Sequence, residues 1–249
     1  MTPEAVAVVI PAHNEQALLP RALAAVHAAA RHPALVRTRV AVVVAADSCL
    51  DDTAGVARRA GAVVVPLRCH NPGRSRAAAA LRALDVLGVP ETGVWIASTD
   101  ADSAVPRDWL AFQLARAAEG WDAVVGTVTV TRWPPVSGLA TRHHRLYHAT
   151  RPAGGVPWRH PHVHGANLGV TATAYRKAGG FPPLPVGEDH GLVTALERGG
   201  HRVLRTSDCP VETSSRLRPR AAGGFGRDLA ALAGLTGRTG LAAEGEPAG

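Results

Sequence analysis

Residues 5–30 read AVAVVIPAHNEQALLPRALAAVHAAA. Ala5–Ile10 is a short, wholly apolar run closed by Pro11, and Glu15–Ala30 then repeats apolar residues at helical spacing, so the stretch reads as buried strand, loop, helix. The unit recurs downstream. Arg39–Val44 is a strand and Asp51–Ala60 a helix; Ala62–Pro66 is a strand and Ser75–Leu87 an alanine-rich helix. Gly93–Ala97 is a fourth strand, followed by a helix over Pro106–Glu119 with proline in its first turn. Apolar strands alternating with helices predict an α/β fold, in which crossover helices cover both faces of a mostly parallel, doubly wound sheet. Ligands of such sheets sit beyond the carboxyl ends of the strands, so the loops after Ile10, Val44, Pro66 and Ala97 are expected to converge on one crevice.

A fifth strand is expected over Asp122–Val130, and then the pattern breaks into a long irregular segment, Trp133–His164, rich in Pro, His and Arg. Regularity returns with a strand at Leu168–Thr171, helices at Ala172–Ala178 and Asp189–Arg198, each ended by a Gly-Gly pair, and a strand at His201–Thr206. A basic stretch, Arg216–Arg220, leads into a final helix near Phe225–Leu235. The Gly-, Ala- and Glu-rich end reads as a frayed tail.

The chain of 249 residues is 46% hydrophobic and 19% charged, ordinary values for a globular protein long enough to bury a sizeable core. Its formal charge of +7 is almost all arginine, Lys177 being the only lysine. Arginine forks suit phosphate, so an anionic partner is expected, beside a solvated basic surface as the plainer account. Scarce lysine and 4% aromatics for base stacking argue against nucleic acid. Cys49, Cys69 and Cys209 form no CxxC pair and no even framework, which favours a reducing compartment and makes the cytoplasm the expected location. The N-terminus lacks the features of a signal peptide and no run of 18 apolar residues occurs. No membrane span is expected, and contact with a membrane surface stays open.

The loops carry the chemistry. After the fourth strand comes Ser98-Thr99-Asp100-Ala101-Asp102-Ser103, two carboxylates placed to face one ion; a hard cation such as Mg²⁺ takes one or two carboxylates plus substrate phosphate oxygens. After the first strand, Pro11-Ala12-His13-Asn14-Glu15 is a sharp exit into a helix start that attracts anions or a nucleotide; alternatively Asn14 and Glu15 cap the helix. After the second strand, Asp51 or Asp52 reads as a cap, while Asp47 is free to accept from a base ring N–H. After the third, Arg74 and Arg76 at a helix start suit a diphosphate. Six of the twelve histidines lie between His143 and His164, and His160, His162 and His164 alternate as on one face of an extended strand. They suit a metal, acceptor-site polar groups or a solvated loop.

Taken in order, VAVVIPAHNEQALLPRAL, VVVAADSCLDDTAGVARRAGA, the D-A-D after a strand, and GANLGVTATAYRKAGGF with GEDHGLVTALERGGHRV resemble the family 2 glycosyltransferases of GT-A fold, over residues 5 to about 206. The resemblance implies a GT-A-like, Rossmann-like sheet plus a smaller acceptor-side region. It implies a single domain over 1–236, with a nucleotide-binding half at 1–103, an acceptor-side half at 104–236, and a disordered tail at 237–249. It implies transfer of a sugar, with inversion, from a UDP- or GDP-linked donor to an unknown acceptor, using Mg²⁺ or Mn²⁺. By the same resemblance Pro11, Ala12, His13, Asn14 and Glu15 match the nucleotide loop, Asp47 a base contact and Arg76 the basic residue reaching the diphosphate. Ala46 stands where the family's first acid usually stands, which leaves the base open. Asp100 and Asp102 match the metal-binding D-x-D. Gly165, Ala166 and Asn167, with His164 beside them, match the acceptor side; Glu188 and Asp189 match the acidic pair whose aspartate is the general base in inverting members. Alternatively, Glu188 and Asp189 only favour a helix start. Arg216, Arg218 and Arg220 suit a loop that closes over the diphosphate.

A nucleotidyltransferase on the same sheet would want a glycine-rich, basic loop after the first strand, and a dehydrogenase a G-x-G-x-x-G there; Pro11–Glu15 is neither. A non-catalytic binding protein is disfavoured by the intact acid pairs.

Overall fold

In a computed structural model the protein is described over residues 3–218 and 223–235. The boundary at residue 236, the tail 237–249 and Arg220 of the expected basic loop lie outside the described residues.

Seven strands among the described residues form one sheet: β1 (Ala5–Ala12), β2 (Arg39–Asp47), β3 (Val63–Leu67), β4 (Val94–Ser98), β5 (Ala123–Thr129), β6 (Leu168–Thr171) and β7 (Val203–Glu212), in spatial order β3-β2-β1-β4-β6-β5-β7. All neighbours run parallel except β6, which is antiparallel to both β4 and β5. Leu168, the first residue of β6, therefore lies opposite Ser98, the last residue of β4. The mostly parallel α/β sheet expected from the apolar runs is present.

The helices are α1 (Leu19–Ala30), α2 (Thr53–Arg59), α3 (Pro72–Leu87), α4 (Trp109–Ala118), α5 (Leu139–Tyr147), α6 (Ala172–Lys177), α7 (Glu188–Arg198) and α8 (Phe225–Leu232). Alternate β1 residues serve the two faces. Val6, Val8 and Ile10 pack with Leu19, Leu23 and Val26 of α1 and Trp109 and Leu110 of α4. Ala5, Ala7 and Val9 pack with Ala79, Ala80 and Ala83 of α3 and Leu192 and Leu196 of α7. The alanine face of α3 lets it lie close on the sheet, and each buried Leu or Val adds about 1.5–3 kcal/mol. A third cluster, Val128, Tyr147, Trp158 and Ala166 with Phe225, sits beyond the sheet under α5 and α8.

Several expected bounds move for physical reasons. Helix α1 starts at Leu19 and not at Glu15, because the Glu15 and Gln16 amides donate to Thr53 and Asp51 across the β2–α2 turn. Asn14 and Glu15 therefore do not cap it. Of the two candidate caps at α2, the Asp51 carboxylate takes the Thr53 amide, while Asp52 sits at the cap position with its carboxylate turned to Arg59 and not to a helix amide. The segment 133–164, expected to be irregular, contains α5. Strand β7 runs to Glu212 instead of stopping at Thr206, and Pro210 is tolerated there because β7 is an edge strand.

Candidate active site

The strand order reverses between β1 and β4, so the β1 and β4 exits splay apart and open a crevice at their carboxyl ends. Three non-glycine residues of the described chain have positive φ, Asn14, Ser48 and His70, and they sit in the loops after β1, β2 and β3. Left-handed backbone at bulky residues is costly, and here it is held by hydrogen bonds around the crevice.

One such set of bonds belongs to Asp47, which is 4% exposed. Its Oδ1 accepts the Cys69 and His70 amides and the Ser48 hydroxyl, and its Oδ2 accepts the Asn71 amide and the Ser75 hydroxyl. Burial alone would raise this carboxyl; the Cys69 and Asn71 amides outweigh it and hold the group well below the usual carboxylate range. Asp47 is thus not free for a base, and it shapes the loop 69–71 that would face one. Asn14 likewise turns inward, its Oδ1 accepting the Leu50 and Asp51 amides, whereas Pro11, Ala12, His13 and Glu15 line the crevice.

A continuous run of charge crosses the crevice. Arg216 reaches Glu15 at 2.5 Å and Asp102 at 2.7 Å. Arg76, expected at a diphosphate, is instead buried: its Nη2 donates to Asp100 at 2.6 Å, its Nε to Glu188 at 2.9 Å and its Nη1 to Ser98 Oγ at 2.7 Å. Burial opposes the Arg76 charge, but Asp100 and Glu188 outweigh burial and raise its pKa. A Cβ at residue 165 would lie 2.3 Å from Arg76 Nη2, so only glycine lets the guanidinium pass there. Gly165 also donates its amide to Asp189 Oδ2 at 2.8 Å, while Asp189 Oδ1 accepts the His190 amide at 2.8 Å. Asp189 is half-buried at the start of α7, and Glu188 is buried.

Asp102 is pushed up to about 6 by burial and by the charge of Asp100, against the pull of Arg216. Among the described residues no three His, Cys, Asp or Glu side chains converge to hold a metal by themselves. Two hard carboxylates, Asp100 and Asp102, at the mouth of a cleft with room for a diphosphate fit a divalent cation whose other ligands come from substrate and water.

The acceptor-side expectations divide. Gly165 and Ala166 line the cleft with His164. Asn167 does not: it is 2% exposed, its Nδ2 donates to the Thr127 and Cys209 carbonyls, and its Oδ1 accepts Trp109 Nε1, tying β5, β7 and α4 together. The three alternating histidines do share a face, with successive rings 5.8 and 5.9 Å apart, but they are not a solvated loop. His160 is fully buried against the Val125 and Thr206 carbonyls, and His162 meets the Tyr147 carbonyl and stacks on the Tyr147 ring at 3.9 Å. Burial, with the imidazoles of His162 and His160, pushes His164 down to about 3. Arg218 is exposed.

Tyr147 is the residue that sequence reasoning missed. Its hydroxyl takes the Val128 amide at 3.0 Å and meets His164 Nε2 at 2.9 Å, and only its i+4 spacing from His143 marked it. The whole cleft encloses about 870 Å³.

The family model described as glycosyltransferase-like family 2 matches residues 3–232. No curated protein matches by sequence. The fold is similar to that of a mannosyltransferase from Pyrobaculum calidifontis in complex with GDP-Man and Mn²⁺, at 21% identity and TM-score 0.64 over 88% of this chain and 59% of that one. It is similar to S. aureus TarS residues 1–349 in complex with UDP, at 15% identity and TM-score 0.58 over 86% and 61% of the two chains. It is also similar to glucosyl-3-phosphoglycerate synthase from Mycobacterium tuberculosis in complex with Mn²⁺, UDP-Glc and phosphoglyceric acid, at 19% identity and TM-score 0.52 over 92% and 78%. The chain thus spans about three fifths of the first two structures. No helix among the described residues is long and apolar enough to cross a membrane.

Proposed function

The chain belongs to glycosyltransferase-like family 2, and from that premise we propose that it moves a sugar from a UDP- or GDP-linked donor to an acceptor hydroxyl, with inversion and with Mg²⁺ or Mn²⁺. The supporting observation is the ordered run Asp102, Asp100, Arg76, Glu188, Asp189 through one cleft at the sheet's reversal point. The donor class draws support from the GDP-Man and UDP-Glc in the complexes described above.

Each role follows from position. Pro11, Ala12 and His13 form the nucleotide wall, and Asp47 holds the opposite loop, 69–71, in place. Asp100 and Asp102 would hold the cation, which when bound offsets charge on the departing nucleoside diphosphate. Arg76 holds Asp100 and Glu188 in fixed relation. Arg216 would pass from Glu15 and Asp102 to the diphosphate as the donor enters. Asp189 takes the acceptor's proton while the acceptor oxygen bonds to the anomeric carbon from one face and the bond to the diphosphate oxygen breaks on the other. Residues 1–236 act as one unit in this scheme, and the three free cysteines suit a cytoplasmic setting.

The test is a panel of UDP- and GDP-sugars with Mn²⁺ or Mg²⁺, read as donor hydrolysis and nucleotide binding. Neither activity nor binding anywhere in the panel would sink the proposal.

A further inference from the structure

Among the described residues, the acceptor end of the cleft carries no arginine or lysine available for an anionic group. Among the described residues that line the cleft, the only arginines are Arg76 and Arg216, and both are engaged by carboxylates. Seven carboxylates share the lining, including Asp189 and Asp228 at the acceptor end. The remaining wall there is apolar or imidazole: Val163, Ala166, Val186 and Phe225, with His162 and His164.

His164 gives that wall one directed polar group. Tyr147 Oη accepts from the Val128 amide, so its own proton is free to go to His164 Nε2. The neutral ring then carries its proton on Nδ1, which meets no protein acceptor among the described residues and belongs to a side chain lining the cleft. The low pKa of His164 keeps the ring neutral at any physiological pH. Phe225 packs edge-on against the same ring at 5.7 Å, an apolar surface beside the donor.

We infer that the acceptor is an uncharged molecule, presenting an apolar face to Val163, Ala166 and Phe225, an oxygen to His164 Nδ1–H and its reacting hydroxyl to Asp189. This rests on the transferase reading above. A phosphate or carboxylate would enter beside Asp189, Glu188, Asp228 and the donor's own diphosphate with no arginine or lysine free among the described lining residues to meet it, whereas an ammonium group set against Val163, Ala166 and Phe225 would be stripped of its water there. Specificity here is by exclusion as much as by contact.

The full chain, loaded with UDP or GDP and Mn²⁺, is titrated by ligand-observed NMR with four matched probes. These are 4-nitrophenyl glucoside, its glucuronide, its 6-phosphate and its 6-amino-6-deoxy analogue. The glucoside is expected to bind at least about tenfold more tightly than each charged relative, the size of a close like-charge or desolvation penalty. His164→Gln retains an acceptor for Tyr147 but loses the Nδ1 donor; it should weaken the glucoside about fivefold and leave nucleotide affinity unchanged. The inference is overturned by any charged probe matching the glucoside, by a nucleotide-loaded protein that ignores the glucoside, or by a glucoside affinity indifferent to His164→Gln. Failure to bind nucleotide at all would instead overturn the transferase reading, and this inference with it.

Discussion

Replacing Arg76 by methionine removes the cation that two carboxylates share while keeping most of the side chain's apolar length. The bond to Glu188 joins side chains 5% and 8% exposed, so its loss leaves a buried carboxylate uncompensated. The Asp100 partner is 34% exposed and its share is discounted accordingly. Charge-assisted bonds contribute about 1.5–3 kcal/mol each, and breaking a buried pair from one side costs about 3–5 kcal/mol. The lower part of that range is expected, about 3–4 kcal/mol. For a chain of this length each kcal/mol moves Tm by about 2–4 °C, so Arg76→Met should melt roughly 6–16 °C lower. Differential scanning calorimetry of the metal-free protein reads this directly. Glu188→Gln in the Arg76→Met background should recover part of the loss, because the orphaned charge is then gone. Arg76→Lys should resemble Arg76→Met more than the parent, since one ammonium cannot meet Asp100, Glu188 and Ser98 at once. A melting temperature within about 1 °C of the parent for Arg76→Met would refute the structural role assigned to this residue.

Asp189→Asn should leave donor affinity intact and lower turnover about 10²–10⁴-fold; it should also lose about 1 kcal/mol of stability, because one amide oxygen cannot take both the Gly165 and His190 amides. Unchanged turnover would reduce Asp189 to a helix-start residue. Calorimetric titration of UDP or GDP with Mn²⁺ into Asp102→Ala should show loss of the metal-dependent part of binding with the fold retained, and parental affinity would remove the metal assignment. Asn167→Ala should cost about 2–4 kcal/mol, since three buried bonds go, with KM for any acceptor little changed. A large KM effect without destabilisation would restore Asn167 to the acceptor side. For pH, His164 is about 3 in the fold against 6.5 unfolded, so the unfolded chain takes up a proton that the folded one refuses. Stability should fall as pH drops below about 6.5, by up to about 1.4 kcal/mol per unit for this ring, and the Tm–pH slope between 6.5 and 4 should be shallower in His164→Gln.

What the sequence made legible was local. The apolar runs at Ala5–Ile10 and Arg39–Val44 had to be strands, and Asp100 and Asp102 had to stand at a strand's end, because a few consecutive residues carry those signals. What it hid depends on partners far away. Asp47 looks free until the amides 22 to 24 residues later fold onto it. Arg76 looks suited to phosphate until Glu188, 112 residues distant, claims its Nε. Helix α5 stayed hidden because LATRHHRLY shows its buried side only as Leu139 and Tyr147, and the ring contacts that reward that side come from Trp158, edge-on, and His162, stacked.

The lone reversed strand, β6, has a consequence for remodelling. Because β5 ends and β6 begins at the same edge, the residues between Thr129 and Leu168 form a detour whose two ends are held side by side by the sheet. Lengthening such an excursion costs only about 0.6 kcal/mol per doubling and shifts no strand register. Under the transferase proposal, exchanging the part of this detour that precedes His160 for that of another sheet of the same order should change what is glycosylated while Gly165 and Asn167 stay to hold Arg76 and the sheet in place, a natural seam for building chimaeras.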